Sequence, residues 1–467
     1  MENKQRPSFA ASAGVFAGIV LILILGIKIL KVDIHVLLIF GLILASGVAV
    51  KYGYTIDDLL DGMKTSISRA MVAMVIFILI GTIIGSWIHA GTVPALIYYG
   101  LKFLSPKFFL PLGLIICSIT SLATGTSWGT TGTVGLALMG MGVGLGIPAP
   151  IIAGMIVSGA FFGDKMSPIS DTTNLAAVSA GTDLYKHIGA MLYTTIPAYV
   201  ISLIMYTILG FKYSSGADAN PEQILQIQSI IAEKFNLNPI VLLPIVVLLV
   251  MSLMKVHSIP AMLTGTFLGT IIAIVFQGSS LSAALTAINY GFSDATGVEI
   301  VDNLLLRGGI QRMMWTFSLS FIALCLGGVL EKVGYLTVLI EKLVSRIKSA
   351  ANMVTLVILT TAVSNAAMGE IYLSVILNGS LYREAFEEKG LQKRMLSRLL
   401  EEGGTMTGAL IPWCTAGAFV AATLGVPTMS YVPYAFLNIL NPLISIVLAY
   451  FGIFILRENG KENRKAV

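Results

Sequence analysis

The chain has 467 residues, of which 56% are hydrophobic and only 11% charged, with a formal net charge of +5. A soluble domain carries about 25% charged residues, so most of this surface must face lipid. The positive balance does not point to nucleic acid, because the basic residues sit in short loops between apolar runs rather than in one patch.

A spanning helix needs about 20 mostly apolar residues. By that criterion residues 11–30, 34–50 and 71–90 are predicted spans, followed by 193–210, 239–254, 259–276, 314–330 and 432–456. The first run follows Lys4 and Arg6 as a signal peptide would, yet it is long enough to span and no cleavage site follows, so it reads as a retained helix. Cys117, Cys325 and Cys414 lie in apolar stretches without CxxC spacing and read as small core residues. Between the spans lie apolar stretches rich in glycine, threonine, serine and proline that also contain acids. A polar linker, 211–238, carries Lys212, Asp218, Glu222, Glu233 and Lys234 and divides the chain almost in half. Its 223–235 portion reads as an amphipathic interfacial helix.

The halves repeat. A shift of 243 lays Gly85 on Gly328, Gly91 on Gly334 and Ser68-Arg69 on Gln311-Arg312. A shift of 245 lays residues 56–60 on 301–305, 244 lays Gly125-Thr126 on Gly369-Glu370, and about 240 lays Gly163, Met166 and Ser167 on Gly403, Met406 and Thr407. Each half then has two helices, an amphipathic stretch, a third helix and an interrupted apolar segment (108–148; 353–381). A broken fourth helix (151–186; 395–426) and a fifth helix complete it. If the interrupted segments are re-entrant hairpins, each half crosses the membrane an odd number of times and the second is inverted, as in many secondary transporters. The expected architecture is an all-α membrane protein of about ten spans plus two hairpins, with two discontinuous helices. Residues 1–210 form the first repeat, 211–238 an external linker and 239–467 the second repeat.

Charge orients this scheme. With both termini cytoplasmic, most of the 29 basic residues fall inside, including Lys64, Arg69, Lys255, Lys348, Arg398, Lys461, Arg464 and Lys465, while Arg307 and Arg312 fall outside. Lys165 alone remains at membrane depth.

An ionisable residue in hydrocarbon is costly unless paired or hydrated, and is therefore a functional candidate. Asp164, Lys165 and Asp171 lie in the first break, which reads GDKMSPISDTTN. There Pro168 frees carbonyls while glycine and serine tolerate the unwinding. Carbonyls, hydroxyls and carboxylates are the oxygens a hard cation such as Na⁺ takes. Glu370 lies at the second hairpin tip beside Asn365, and Glu401 and Glu402 near the second break, which contains Thr405 and Thr407. The first tip, TGTSWGTTGT, includes Thr126 and Ser127 and is too polar for a lipid-facing helix. A carboxylate in low dielectric holds its proton more tightly; near neutrality either H⁺ or Na⁺ can neutralise it, but not both. Mutual exclusion at Asp164 or Asp171 suffices for exchange, with Lys165 available as a salt-bridge partner that the ion displaces. Glu401 and Glu402 read more simply as the end of a charged cytoplasmic segment.

The stretches 163–176 (GDKMSPISDTTNLA), 124–133 (TGTSWGTTGT) and 411–417 (IPWCTAG) resemble the NhaC family of Na⁺/H⁺ antiporters, along nearly the whole chain. The resemblance implies a scaffold and a moving transport part with two hairpins, a homodimer in the cytoplasmic membrane, and no cofactor besides the transported Na⁺ and H⁺. It implies that Asp164, Asp171, Thr172, Thr173 and Asn174 belong to the cation and proton site, with Ser127, Glu370 and Thr407 opposite. The family also contains Na⁺-coupled malate/lactate exchangers, which these motifs do not separate. One lysine and no arginine at membrane depth, against several acids, tilts the reading toward a bare cation.

Two other functions fit less well. Gly125-Thr126-Ser127-Trp128-Gly129 matches GxSxG, but the four histidines map to helix ends away from this tip, so a hydrolase lacks its base. A channel is usually a symmetric oligomer around a filter, whereas an internal inverted repeat is the device of alternating access.

Overall fold

A computed structural model of the chain describes residues 4–103, 105–215, 221–347 and 349–458. Asp218, Lys348, Lys461, Arg464 and Lys465, used above for the linker and the charge bias, lie outside the described residues. Among the described residues the only β-pairing is an isolated bridge between Leu391 and Arg457. Among the described residues eight helices are long and apolar enough to cross a membrane, or up to ten if each of two bent pairs is one span. Helices satisfy their own backbone groups, which hydrocarbon requires. The chain is an all-α, multi-pass membrane protein.

Its centre is the helix Met71–His89, 72% buried, against 17% for Phe9–Leu30 and 28% for Ile34–Lys51 at the periphery. Gly81 and Gly85 permit this burial. The loop at Gly308 and Gly309, both at positive φ, touches Met71–His89 so closely that Gly309 N–H donates to the Gly81 carbonyl at 2.7 Å. A Cβ on Gly85 would lie 2.2 Å from the Ala287 carbonyl oxygen.

The two interrupted segments are hairpins of matching geometry. Pro106–Thr124 and Ala350–Met368 each have 19 residues and end in a left-handed glycine, Gly125 at φ 70° and Gly369 at φ 67°. The next residues cap the returning arms with nearly the same backbone: Thr126 at φ −148°, ψ 121° and Glu370 at φ −149°, ψ 131°. The 244-residue register thus lays one tip on the other.

The fourth helices are discontinuous. Ala149–Met166 gives way to Asp171–Ala180, and Lys393–Gly403 passes through a short turn, Thr405–Gly408, to Thr415–Leu424. The second halves are 10 residues each, capped by Ser170 (φ −71°, ψ 137°) and Cys414 (φ −70°, ψ 140°) and closed by Gly181 and Gly425 at φ 73° and 68°. These caps correspond at a shift of 244, whereas the residues before the break correspond at 240, so the second break is longer by 244 − 240 = 4 residues.

Two boundaries differ from expectation. The first broken helix ends at Ala180, because Gly181 adopts the left-handed conformation that stops a helix, and Lys186 belongs to the next helix, Leu184–Ser215. The start of the linker continues that helix. The amphipathic helix expected within the linker is present as Pro221–Lys234, burying Ile227 and Ile231, and it meets the following span at 98°.

Hairpin arm Pro106–Thr124 packs along Ala149–Met166 at glycine contacts. A Cβ on Gly163 would stand 2.4 Å from both the Leu122 nitrogen and the Ser118 oxygen. Gly163→Ala is therefore expected to destabilise the detergent-solubilised protein by about 1–3 kcal/mol. An unchanged thermal midpoint would contradict this close approach.

Candidate functional site

The first break accounts for its freed backbone groups with its own side chains. Thr173 Oγ1 donates to the Asp164 and Lys165 carbonyls at 3.1 and 3.0 Å, and Asn174 Nδ2 to the Pro168 and Ser170 carbonyls at 3.0 and 2.7 Å. Ser167 Oγ donates to the Leu122 carbonyl on the hairpin arm at 2.8 Å. Thr173 and Asn174, expected among the ion-binding residues, thus hold the unwound backbone in shape.

Asp164 is what that shape presents. It is 5% exposed. Ser127 Oγ, from the hairpin tip, donates to its Oδ2 at 2.6 Å, and Ser170 Oγ, from across the break, donates to its Oδ1 at 2.5 Å. Thr172 stands next, its hydroxyl 3.1 Å from Ser170 Oγ. Each hydroxyl is both donor and acceptor, so by rotating about its C–O bond it can stabilise the bare carboxylate or offer an oxygen to a cation beside it.

The second half of the fold meets this carboxylate across a shared cavity of about 490 Å³. Thr126, Ser127, Asp164, Asp171 and Thr172 line it from the first half, and Glu370, Thr405 and Thr415 from the second. Glu370 is 2% exposed. It caps the helix Ile371–Glu388 through the Tyr372 N–H at 3.4 Å and accepts from Thr415 Oγ1 at 2.7 Å, tying the second tip to the second half-helix. Thr415 and Asp171 are the first residues of the two corresponding half-helices.

Several expected residues stand elsewhere. Asp171, expected in the same dry pocket as Asp164, is exposed to the cavity. Asn365 and Thr407 do not line the cavity. Asn365 Nδ2 donates to the Gly404 carbonyl at 2.6 Å and to Thr407 Oγ1 at 2.9 Å, serving the second break as Thr173 and Asn174 serve the first. Lys165 makes no salt bridge with Asp164 or Asp171. It is fully buried, and its Nζ donates to Asn441 Oδ1 at 2.6 Å. Consecutive helical positions point about 100° apart, so Lys165 faces away from the cavity that Asp164 lines.

Behind the cavity Lys165 lies among the charges of Glu402, Glu401 and Arg398. All three are buried, and Arg398 Nε stands 3.7 Å from Glu402 Oε1, which also accepts from Thr194 Oγ1 at 2.5 Å. Glu401 has Thr405 and Thr172, both of which line the cavity, beside it. This corrects the placement of Arg398, Glu401 and Glu402 in a solvated segment, since all three are enclosed by the protein. Their helix, KRMLSRLLEEG, reads as a polar surface because nothing local shows that it is enclosed; the partner of Glu402, Thr194, comes from a distant helix. Ser170 and Thr415 were also missed, although both lie inside the break motifs. Ser170 carried a signal, since serine three residues before Thr173 fits an N-cap.

The helix Thr415–Leu424 is a wall shared with a second cavity: Thr415 lines the first, and Ala418, Ala421 and Ala422 line the second. Phe419 on this helix stacks on Trp128 of the first tip, with centroids 4.4 Å apart and planes at 10°.

The sequence profile of the Na⁺/H⁺ antiporter family matches residues 6–173 and 159–453. A malate-2H⁺/Na⁺-lactate antiporter of Bacillus subtilis (strain 168) is 39% identical over 439 residues, 94% of each chain. The arginine/ornithine antiporter ArcD of Halobacterium salinarum is 37% identical over 454 residues, 97% of this chain and 93% of its own. The Na⁺/H⁺ antiporter NhaC of Alkalihalophilus pseudofirmus is 37% identical over 447 residues, 95% and 96%. This chain belongs to the Na⁺/H⁺ antiporter family, the NhaC family that its break and hairpin motifs resemble.

Proposed function

We propose that the protein is a secondary active antiporter that exchanges Na⁺ for H⁺ by alternating access, with Asp164 as the carboxylate that carries either ion. The observation that carries this reading is the buried Asp164 side chain with two serine hydroxyls on its two oxygens, at the wall of a cavity. Neutralised by a proton, the carboxyl donates one hydrogen bond and its serine partners turn to suit. Neutralised by Na⁺, it keeps its charge and Ser127, Ser170 and Thr172 supply further oxygens. Glu370 and Thr415 close the cavity from the other half, and Asp171 at its exposed side attracts the cation. An empty, charged Asp164 is the costly state in a dry transition, so movement occurs only when one of the two ions is bound.

The assignment of residues 1–210 and 239–467 to inverted repeats joined by 211–238 belongs to this reading, since such repeats permit the same site to face either side. So do a homodimer in the cytoplasmic membrane and cytoplasmic termini, the orientation being supported by the basic residues Arg69 and Lys255 that line the first cavity.

Exchange of an organic acid together with these ions is the second reading. It is favoured by the cavity, about 490 Å³, within the roughly 300–1,000 Å³ of small-molecule sites. The named malate/lactate relative also favours it. Reconstituted vesicles holding a pH-sensitive dye separate the two. A Na⁺ gradient alone is expected to move protons; proton movement that appears only once malate or lactate is added would replace the first reading with the second.

A further inference from the structure

The second cavity, about 630 Å³, has a different charge from the first. Arg307 and Arg312 line it together with Asp302, while Ala418, Ala421 and Ala422 of the shared helix form an apolar wall. Arg307 is fixed by two carbonyls: its Nε donates to Asn303 at 2.8 Å and its Nη1 to Leu424 at 3.0 Å. Arg312 donates Nη1 to the Leu306 carbonyl. Among the described residues no carboxylate oxygen lies within ion-pair distance of either guanidinium. Asp302 is turned to its own loop, accepting from Thr296 N and Oγ1 at 2.6 and 2.7 Å and from Gly297 N at 3.2 Å. Those amides hold its carboxyl below the usual carboxylate range, so it remains charged but occupied.

The repeat sharpens the contrast. Arg312 is the counterpart of Arg69, which lines the first cavity, but Arg69 is neutralised there by Glu331 at 2.7 Å. The first cavity therefore sets Asp164, Asp171 and Glu370 against Lys255, and the second presents guanidinium groups with N–H donors to spare. A guanidinium is a planar fork that matches a carboxylate two bonds at a time.

The geometry points to a binding site for a small organic carboxylate in this second cavity, its carboxylate held by Arg307 and Arg312 and its carbon skeleton against the alanine face of Thr415–Leu424. The inference rests on the exchange reading only in taking this cavity as an approach to the site from the side opposite the first. A bound carboxylate competes with the Leu424 carbonyl for Arg307. It therefore acts on the C-terminal end of the half-helix whose first residue, Thr415, holds Glu370.

Equilibrium binding of radiolabelled L-malate to the whole protein in phosphatidylcholine nanodiscs tests this. Saturable binding is expected, weakened at least tenfold by Arg312→Gln, an exposed position whose replacement should not disturb folding. Arg312→Lys keeps the charge without the fork and is expected to fall between. Arg307→Gln is expected to abolish binding, but the outcome at Arg312 decides if that variant fails to fold. Absence of saturable binding to the unaltered protein, or equal affinity in Arg312→Gln, overturns the proposal. Loss of malate binding in phosphatidylglycerol nanodiscs would assign the arginines to a lipid phosphate and overturn it as well. The exchange reading is judged apart from all this, by whether Asp164→Asn still moves protons in vesicles.

Discussion

Asp164→Asn is expected to reduce Na⁺-driven proton movement in reconstituted vesicles to the background of empty vesicles, while expression and thermal midpoint change little. The amide keeps the shape: its oxygen can accept from one of Ser127 and Ser170, which reach the two carboxylate oxygens at 2.6 and 2.5 Å, and its nitrogen can donate to the other. It cannot take up a proton or neutralise a cation, and exchange needs both. Ser170→Ala removes one donor to a buried charge, an interaction of about 1.5–3 kcal/mol, so roughly a 10- to 100-fold change in half-saturating Na⁺ is expected. Asp171→Asn should be milder, because that side chain is exposed to the cavity and acts through water. Full activity in Asp164→Asn would remove the central carboxylate from the mechanism, whatever happened at Asp171.

Arg398→Met is expected to be the most destabilising single change among the charged residues. Arg398 and Glu402 are 2% and 0% exposed, and removing the cation leaves an uncompensated charge in the interior. Breaking a buried pair from one side costs about 3–5 kcal/mol, whereas replacing both partners with apolar groups is often neutral. The double variant Arg398→Met with Glu402→Met should therefore recover most of the lost thermal stability in detergent. A single variant as stable as the unaltered protein, or a double variant no better than the single one, would argue against a structural pair. Because Lys165 lies among these same charges, transport in the recovered double variant also tests whether the buried cluster bears on exchange. Retained Na⁺-driven proton movement would confine it to stability.

Alternating access imposes opposite demands on this interior. On the proposed mechanism Asp164 must be dry enough that an empty, charged carboxylate does not cross, yet reachable from a cavity on each side in turn. The shared helix Thr415–Leu424 bears on both demands. Thr415 holds Glu370 on one face, and Phe419 stacks on Trp128 of the opposing hairpin tip. A ring stack between a tip and a half-helix seals through apolar contact, which needs no specific hydrogen bond to break and remake.

Sequence alone was sufficient for whatever depends on neighbouring residues. Lipid-facing helices announce themselves by length and hydropathy, and hairpin tips by glycine and hydroxyl residues where hydrocarbon would not accept them. The repeat register was readable because Gly125 and Gly369 occupy a left-handed position that favours glycine, and their φ angles agree to within a few degrees. The family motifs were legible for the same reason, since a break must satisfy its own freed carbonyls with nearby side chains such as Thr173 and Asn174.

What depends on enclosure required the tertiary structure. Asp164 and Asp171 are equally acidic in the sequence, but only Asp164 is roofed by the hairpin tip carrying Ser127. Lys165 turns from its neighbour to Asn441, and Arg398, Glu401 and Glu402 lie in the interior although their segment reads as solvated. Helical periodicity tells which side chains share a face, but not what the face meets. A buried charge is tolerated only through partners, and here those partners, Asn441 and Thr194, come from helices far away in the chain.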